Sequence, residues 1–240
     1  MPASDSKPLI SLRHVGLAYA NPLARLRLGK DRRIHALRDV SFDVHEGDKL
    51  GIIGRNGCGK STLMRLLARV YEPDSGTVSF SRQVHIQMLS LGVGFEGSLT
   101  GRENAVLNGM LLGKTRAHMF SRLEKIKEFS ELGDFFEMPV GTYSSGMVLR
   151  LGFSVAMETE PDVLLIDEVL GVGDASFARK SQKAIEERFT SHHTIVMISH
   201  DPNIITGLCN RAVWIEQGRT MADGPPAEVS AAYLRARDLA

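Results

Sequence analysis

The sequence predicts an α/β fold in which a parallel sheet is buried on both faces and a helical subdomain is inserted into the chain. Three observations carry this. Val163 to Ile166 and Ile195 to Ile198 are continuous apolar runs separated by a helical segment from Phe177 to Phe189, the pattern of parallel strands joined by a crossover helix. Gly54-Arg55-Asn56-Gly57-Cys58-Gly59-Lys60-Ser61 lies between a short apolar strand and a helix, as strand–loop–helix units require. From Thr100 to about Glu158 the apolar residues recur at helical rather than strand spacing.

Taken in order, Ile10 to Tyr19 has strand composition and is followed by the turn signal Asn21-Pro22 and a basic stretch from Arg25 to Arg33. Val40 to Val44 alternates, Glu46-Gly47-Asp48 turns, and Leu50 to Ile53 forms a short buried strand. A helix starts near Lys60 with Leu63, Leu66, Leu67 and Val70 on its apolar side, and Pro73-Asp74-Ser75-Gly76 closes it. Val78 to Leu89 reads as extended. In the helical stretch, Leu107, Met110 and Leu111 share one face, and Leu123, Ile126, Phe129 and Leu132 share another. Ala212 to Glu216, Gln217-Gly218 and Thr220 to Ala222 read as a hairpin before a last helix. The expected division is a core of about 1–98 and 159–222, a helical subdomain of about 99–158, and a C-terminal helix of about 225–240.

Composition excludes several classes. In 240 residues, 43% are hydrophobic and 24% charged, so collagenous, disordered and membrane-embedded chains are out. A formal charge of +1 gives no global field to concentrate nucleic acid, and no nucleic-acid partner is expected. No apolar run approaches the roughly 20 residues of a spanning helix, and Met1 to Pro8 lacks the apolar core of a secretory signal. Cys58 and Cys209 have no second Cys or His at ligand spacing, so both read as free thiols.

The loop from Gly54 to Ser61 fits G-x-x-x-x-G-K-[ST]. Its glycines let backbone amides curl around a phosphate, the following helix adds its positive end, Lys60 reaches the β and γ phosphates, and Ser61 offers a hydroxyl to magnesium. Thr62 follows in the same turn. Cys58 lies inside the loop and two readings stay open: either the helix dipole lowers its pKa and modification of the thiol blocks nucleotide binding, or only its backbone matters. A second glycine pattern, Gly92-Val93-Gly94-Phe95-Glu96-Gly97, fits G-x-G-x-x-G, but positions 105 to 123 hold no acid for a ribose, so it reads as a loop. Val163 to Ile166 delivers Asp167 and Glu168 at a strand's carboxyl end. Asp167 is expected to hold magnesium through a water, and Glu168 to polarise the water that attacks the γ phosphate. Ser144, in Tyr143-Ser144-Ser145-Gly146-Met147, is placed to cap a helix and aim its amides at an anion.

The order of phosphate loop, helical insert, Ser-Ser-Gly, Asp-Glu strand and histidine resembles the nucleotide-binding subunit of ATP-binding cassette (ABC) transporters over nearly the whole chain. The resemblance implies a RecA-like ATPase core with an antiparallel β subdomain, a head-to-tail dimer of two copies, and two ATP molecules with Mg2+ between them. It gives Ser144, Ser145 and Gly146 the role of completing the other copy's ATP site, although Ser145 and Met147 depart from the commonest Leu-Ser-Gly-Gly-Gln form. It makes His200 the switch histidine at the γ phosphate, Asp174 the aspartate of the loop that communicates between sites, and Tyr19 the aromatic under adenine. The glutamine loop departs: the expected Gln falls near Leu91, and Gln87, Glu96 or backbone remain open as magnesium sensors.

Leu91 to Phe95, Leu99 to Asn104, Tyr143 to Met147 and Ile166 to Gly171 are similar to ATPases that export O-antigen, capsular polysaccharide or teichoic acid. That branch implies a separate polytopic permease, a peripheral place on the cytoplasmic face of the bacterial plasma membrane, and, since the chain ends soon after its core, glycan contact mainly by the permease. Arg25, Arg27, Lys30, Arg32 and Arg33 are either a face for membrane or partner or a solvated loop. The alternative reading is a soluble ATPase of the same architecture without a membrane partner.

Overall fold

The computed structural model describes residues 7–20, 33–89, 94–167 and 174–238. In chain order the elements are β1 (Ile10–Ala20), β2 (Arg33–Val44), β3 (Lys49–Ile53), α1 (Lys60–Leu67), β4 (Ser75–Phe80), β5 (Ile86–Met88), α2 (Gly101–Leu111), α3 (Arg116–Ser130), α4 (Ser145–Glu158), β6 (Val163–Asp167), α5 (Ala175–Thr190), β7 (Thr194–Ile198), α6 (Pro202–Leu208), β8 (Arg211–Glu216), β9 (Arg219–Gly224) and α7 (Pro226–Asp238). They fall into two compact units: Met1–Ile86 with Val163–Glu168 and His192–Ala240, and Gln87–Asp162 with Val169–Ser191.

The first unit is a mixed sheet in the order β4-β1-β2-β9-β8-β3-β7-β6. Its centre is parallel: β3 runs beside β7 and β8, and β6 beside β7, with Leu164 opposite Ile195 and Ile166 opposite Met197. Every residue of β3 and β7 is buried, and after Lys49 and Thr194 at their starts both read as apolar runs. The other end is antiparallel, with β1 between β2 and β4 and the pair β8–β9 closed by a tight turn at Gln217-Gly218. The extended stretch expected from Val78 to Leu89 is two strands, since β4 stops pairing with β1 at Phe80 opposite Ile10 and the chain turns before Ile86. Against the sheet, α6 and α7 bury Ile205, Val229 and Tyr233 with Ile53, Ala212 and Trp214.

The second unit is helical around a core of Ala105, Met119, Leu123, Ile126, Leu132, Phe136, Val140, Leu151 and Val155. One expected face is reversed. On α2 the inward positions are Gly101, Asn104, Ala105 and Gly109, and Leu107, Met110 and Leu111 point out, Leu111 being 68% exposed. The cause is close packing: a Cβ at Gly109 would collide with Met119 of α3, so small residues form the seam and the leucines are left outside. Each helix start is capped: Thr100 and Glu103 form a reciprocal capping box for α2, Thr115 caps α3, Ser144 caps α4 and Asp174 caps α5.

Candidate functional site

The phosphate loop joins β3 to α1, and Gly59 is the helix cap, with φ 108 that favours glycine. Lys60 is 7% exposed, and its Nζ donates to the carbonyl oxygens of Gly54 at 2.7 Å and Arg55 at 2.9 Å. The ammonium therefore lies under the arch that its own loop makes, held by neutral acceptors and by no carboxylate among the described residues. This is a preorganised positive charge inside a ring of amides, which suits a polyphosphate.

In front of the loop lies a cavity of about 340 Å³. Asn56, Gly57, Gly59, Lys60, Ser61 and Thr62 form one wall. Asp167 from the end of β6 and Ile198 from the end of β7 form another, at the carboxyl edge of the parallel strands where open α/β sheets bind ligands. Tyr19 and Ile34, which face each other across β1 and β2, close the side together with His35 and Ala36. The Tyr19 hydroxyl lies 3.1 Å from Thr62 Oγ1, and its ring meets Tyr71 edge-on with centroids 5.8 Å apart. A flat aromatic held at both ends beside an exposed isoleucine is a wall suited to a planar base. The sequence does not reveal Ile34, His35 and Ala36 as part of this wall, because they come to it only through the β1–β2 register.

Ser61 and Asp167 line the same cavity and are both oxygen donors, the set that magnesium prefers; it takes one or two protein ligands and keeps waters. Glu168 lies outside the described residues, as do Leu91, Gly171 and the basic stretch up to Arg32. His200 follows β7 directly after Ser199, whose amide donates to Ile52 O at 3.2 Å, and it is exposed.

Of the two readings of Cys58, the structure does not support the reactive thiol. Its side chain is tucked beneath the loop, near where a Cβ at Gly54 would be, and burial pushes the thiol pKa up more than the nearby Lys60 lowers it. Burial likewise pushes Cys209 up to about 12.

The family model described as ABC transporter matches residues 37–171. The chain belongs to the ABC transporter family. Within it, the chain is an ATP-binding, ATP-hydrolysing subunit. It is 45% identical over 216 residues to the O-antigen export system ATP-binding protein RfbB of Klebsiella pneumoniae, covering 90% of this chain and 87% of that one. It is 44% identical over 207 residues to the protein of the same name from Myxococcus xanthus, covering 86% of this chain but 47% of the longer relative. In fold it is similar to a dimeric post-hydrolysis ATP-binding cassette bound to ADP and Pi, at a TM-score of 0.68 and 20% identity over 90% of this chain and 98% of that one.

The residues that the sequence resemblance marked as signature and communicating loop fall in the second unit. Ser144 and Ser145 are exposed at the start of α4, and Ser144 Oγ accepts from Met147 N at 3.3 Å. Asp174 caps α5 through the amides of Ser176 and Phe177, and these bonds, with Arg150 of α4, hold its carboxyl below the usual range. Arg150 also reaches Glu131 at 3.1 Å, and Glu131 takes Lys180 at 2.7 Å. Sequence reading singled out Asp174 but not its partners, since Arg150, Glu131 and Lys180 come from α4, the end of α3 and α5 and carry no motif of their own.

Gln87 is taken out of contention as a sensor of magnesium. It is 3% exposed, its Oε1 accepts from the Thr159 hydroxyl and its Nε2 donates to Ala156 O at 3.4 Å, so both ends of the amide are used inside the second unit. Glu96 is fully exposed and turns back on Ser98, whose amide and hydroxyl it accepts at 3.1 and 2.9 Å. Residues 94–99 form turns and irregular chain, in keeping with the loop read from the glycine pattern.

Proposed function

We propose that this chain is the ATPase subunit of a polysaccharide exporter: it dimerises head-to-tail around two ATP and drives a separate polytopic membrane subunit that passes a lipid-linked glycan such as O-antigen, capsule or teichoic acid. The observation that carries the chemistry is the buried Lys60 under its own loop, lining one cavity with Ser61 and Asp167. The export reading draws on the likeness to the Klebsiella O-antigen export protein along nine-tenths of the chain.

In this mechanism the amides of Gly54, Arg55, Asn56, Gly57, Cys58 and Gly59, with Lys60, Ser61 and Thr62, bind the phosphates, and Tyr19 takes the adenine. Ser61, and Asp167 through a water, would hold Mg2+, which would neutralise charge on the phosphates. Glu168 accepts a proton from water as the water oxygen bonds to the γ phosphorus and the bond to the β–γ bridging oxygen breaks. ADP leaves with that electron pair. His200 donates to the γ phosphate and orients the water, and Ser144, Ser145 and Gly146 of the second copy cover the same phosphate from the other side. Asp174 transmits closure between the two sites.

A partner surface in the helical unit would include its exposed apolar side chains Leu107, Met110, Leu111 and Phe120. No helix of the described residues is long and apolar enough to cross a membrane, so membrane association would run through that partner and the polar stretch around Arg25 to Arg33. Tagged protein captured from native membranes tests this: the expected copurifying species is a polytopic permease whose gene neighbours glycosyltransferases. A wholly soluble ATPase with no membrane protein bound would overturn the export reading and leave the hydrolysis. Glu168→Gln should bind ATP, trap the dimer and lower turnover by several orders of magnitude.

A further inference from the structure

The chain approaches α4 through two rails in the second unit. One is 96–101 and the other 137–143. Gly141 N donates to Gly97 O at 2.8 Å, Val140 N to Leu99 O at 2.9 Å, and Gly101 N to Met138 O at 3.1 Å, with a bridge between Thr100 and Pro139. The rails come this close where glycine meets glycine, for a Cβ at 141 would stand 3.0 Å from the Gly97 carbonyl oxygen.

The first rail has almost no regular structure; Glu96 bonds Ser98 and Thr100 shares a capping box with Glu103 at its surface, and one buried side chain spans it from 96 to 100. Asn104 is 0% exposed. Its Oδ1 accepts from Glu96 N at 2.8 Å, and its Nδ2 donates to the carbonyl oxygens of Glu96, Leu99 and Thr100 at 2.9, 3.0 and 3.0 Å. The second rail is closed by Tyr143. Its hydroxyl donates to Phe135 O at 2.5 Å, and a Cβ at Gly101 would stand 3.3 Å from its Cζ and closer still to the hydroxyl. Burial, then the charge of Glu137, pushes this phenol's pKa up, so the hydroxyl stays a donor through the physiological range. The next residue is Ser144, the cap of α4.

We infer that Asn104 and Tyr143 are positioning residues for Ser144: Asn104 holds the shape of 96–101, Tyr143 packs over Gly101 and bonds Phe135 O, and the backbone bonds between 96–101 and 137–143 pass both restraints to the Ser144 hydroxyl and the first amides of α4. The inference rests on the reading of Ser144 as completing the ATP site of a second copy. Neither residue is placed at the nucleotide; each acts through the serine. A displacement of about 1 Å at such a site costs on the order of a hundredfold, and loss of one tie should cost about tenfold.

The test compares Asn104→Ala, Tyr143→Phe and Ser144→Ala, each alone and with Glu168→Gln. ADP affinity is read on the monomer, since the phosphate loop of the same chain holds ADP. ATP-driven dimerisation is read by light scattering in the Glu168→Gln background, and hydrolysis at saturating ATP in the other. All three variants should keep ADP affinity and raise the ATP concentration for dimerisation, Asn104→Ala and Ser144→Ala by about tenfold. Gly101→Ala should do the same by pressing on the Tyr143 hydroxyl, and Tyr143→Phe in that background should recover part of the loss. A role in folding alone would lower ADP affinity and dimerisation together, with no recovery in the double variant. Asn104→Ala and Tyr143→Phe that dimerise like the unchanged protein, while Ser144→Ala does not, would overturn the inference and spare the reading beneath it. A silent Ser144→Ala would overturn both. If Asn104→Ala does not fold, Tyr143→Phe and the Gly101 pair decide.

Discussion

Gly57 and Gly59 both have positive φ, 80 and 108 degrees, yet their surroundings differ, and that difference sets a measurable order. At Gly57 a Cβ would meet nothing within 4 Å, so Gly57→Ala should cost only the left-handed backbone, about 1–2 kcal/mol, less the few tenths gained from a stiffer unfolded chain. At Gly59 a Cβ would stand 2.9 Å from Leu37 Cδ2 and closer to the Ala36 carbonyl oxygen, which is backbone of β2 and cannot step aside. Overpacking of that kind adds about 1–3 kcal/mol, so Gly59→Ala should cost about 2–4 kcal/mol in all. Urea denaturation followed by the fluorescence of Trp214, the sole tryptophan of the chain, reads the unit that holds the loop. Gly59→Ala should also lose ADP affinity, because the shift moves the amide of Lys60, whereas Gly57→Ala should lose less. Equal destabilisation, or the reverse order, would refute the view that the loop is held tightly against β2.

Tyr19→Ala should raise the KM for ATP about tenfold with kcat little changed, from loss of about 1–2 kcal/mol of stacking, and steady-state kinetics with ATP and inorganic triphosphate separate base from phosphate binding. Cys58 should resist maleimide in the folded protein at neutral pH and react once urea unfolds it, as mass spectrometry of the labelled peptide would show; rapid native labelling would contradict its burial. Lys180, then Arg150, lowers the Glu131 carboxyl, so the stability it adds is present above about pH 4.3 and is lost as pH falls through its lower folded value. The gap in urea midpoint between the native chain and Arg150→Gln should therefore be full near neutrality and close in acid; a gap that widens in acid would refute the assignment.

The parts legible in the sequence are those whose chemistry is local. The phosphate loop carries its own spacing, Leu50 to Ile53, Val163 to Ile166 and Ile195 to Ile198 are apolar runs because both faces of these strands are covered, and Ser144 is a cap residue at a helix start. The face of α2 was not legible: helical period cannot tell which stripe is inward when the seam is made by Ala105 and Gly109 and leucines stay outside. The thiol of Cys58 stays open in the sequence for a similar reason, since the dipole of α1 is visible there and the desolvation under the loop is not. Arg150 gains its role from Asp174, 24 residues away, and Tyr143 packs on Gly101, 42 residues away, separations that no spacing rule reports. The wall made by Ile34 depends on the register of β2 against β1, which sets Ile34 opposite Tyr19.

The most direct measurement of the central claim is removal of the gene from its source strain, complemented by the native chain or by Lys60→Ala, with surface polysaccharide quantified and lipid-linked glycan measured inside the cell. The account predicts that surface polysaccharide disappears, that lipid-linked glycan accumulates at the inner face, and that only the native chain restores export. Unchanged surface polysaccharide in the deleted strain, or full rescue by Lys60→Ala, would contradict it.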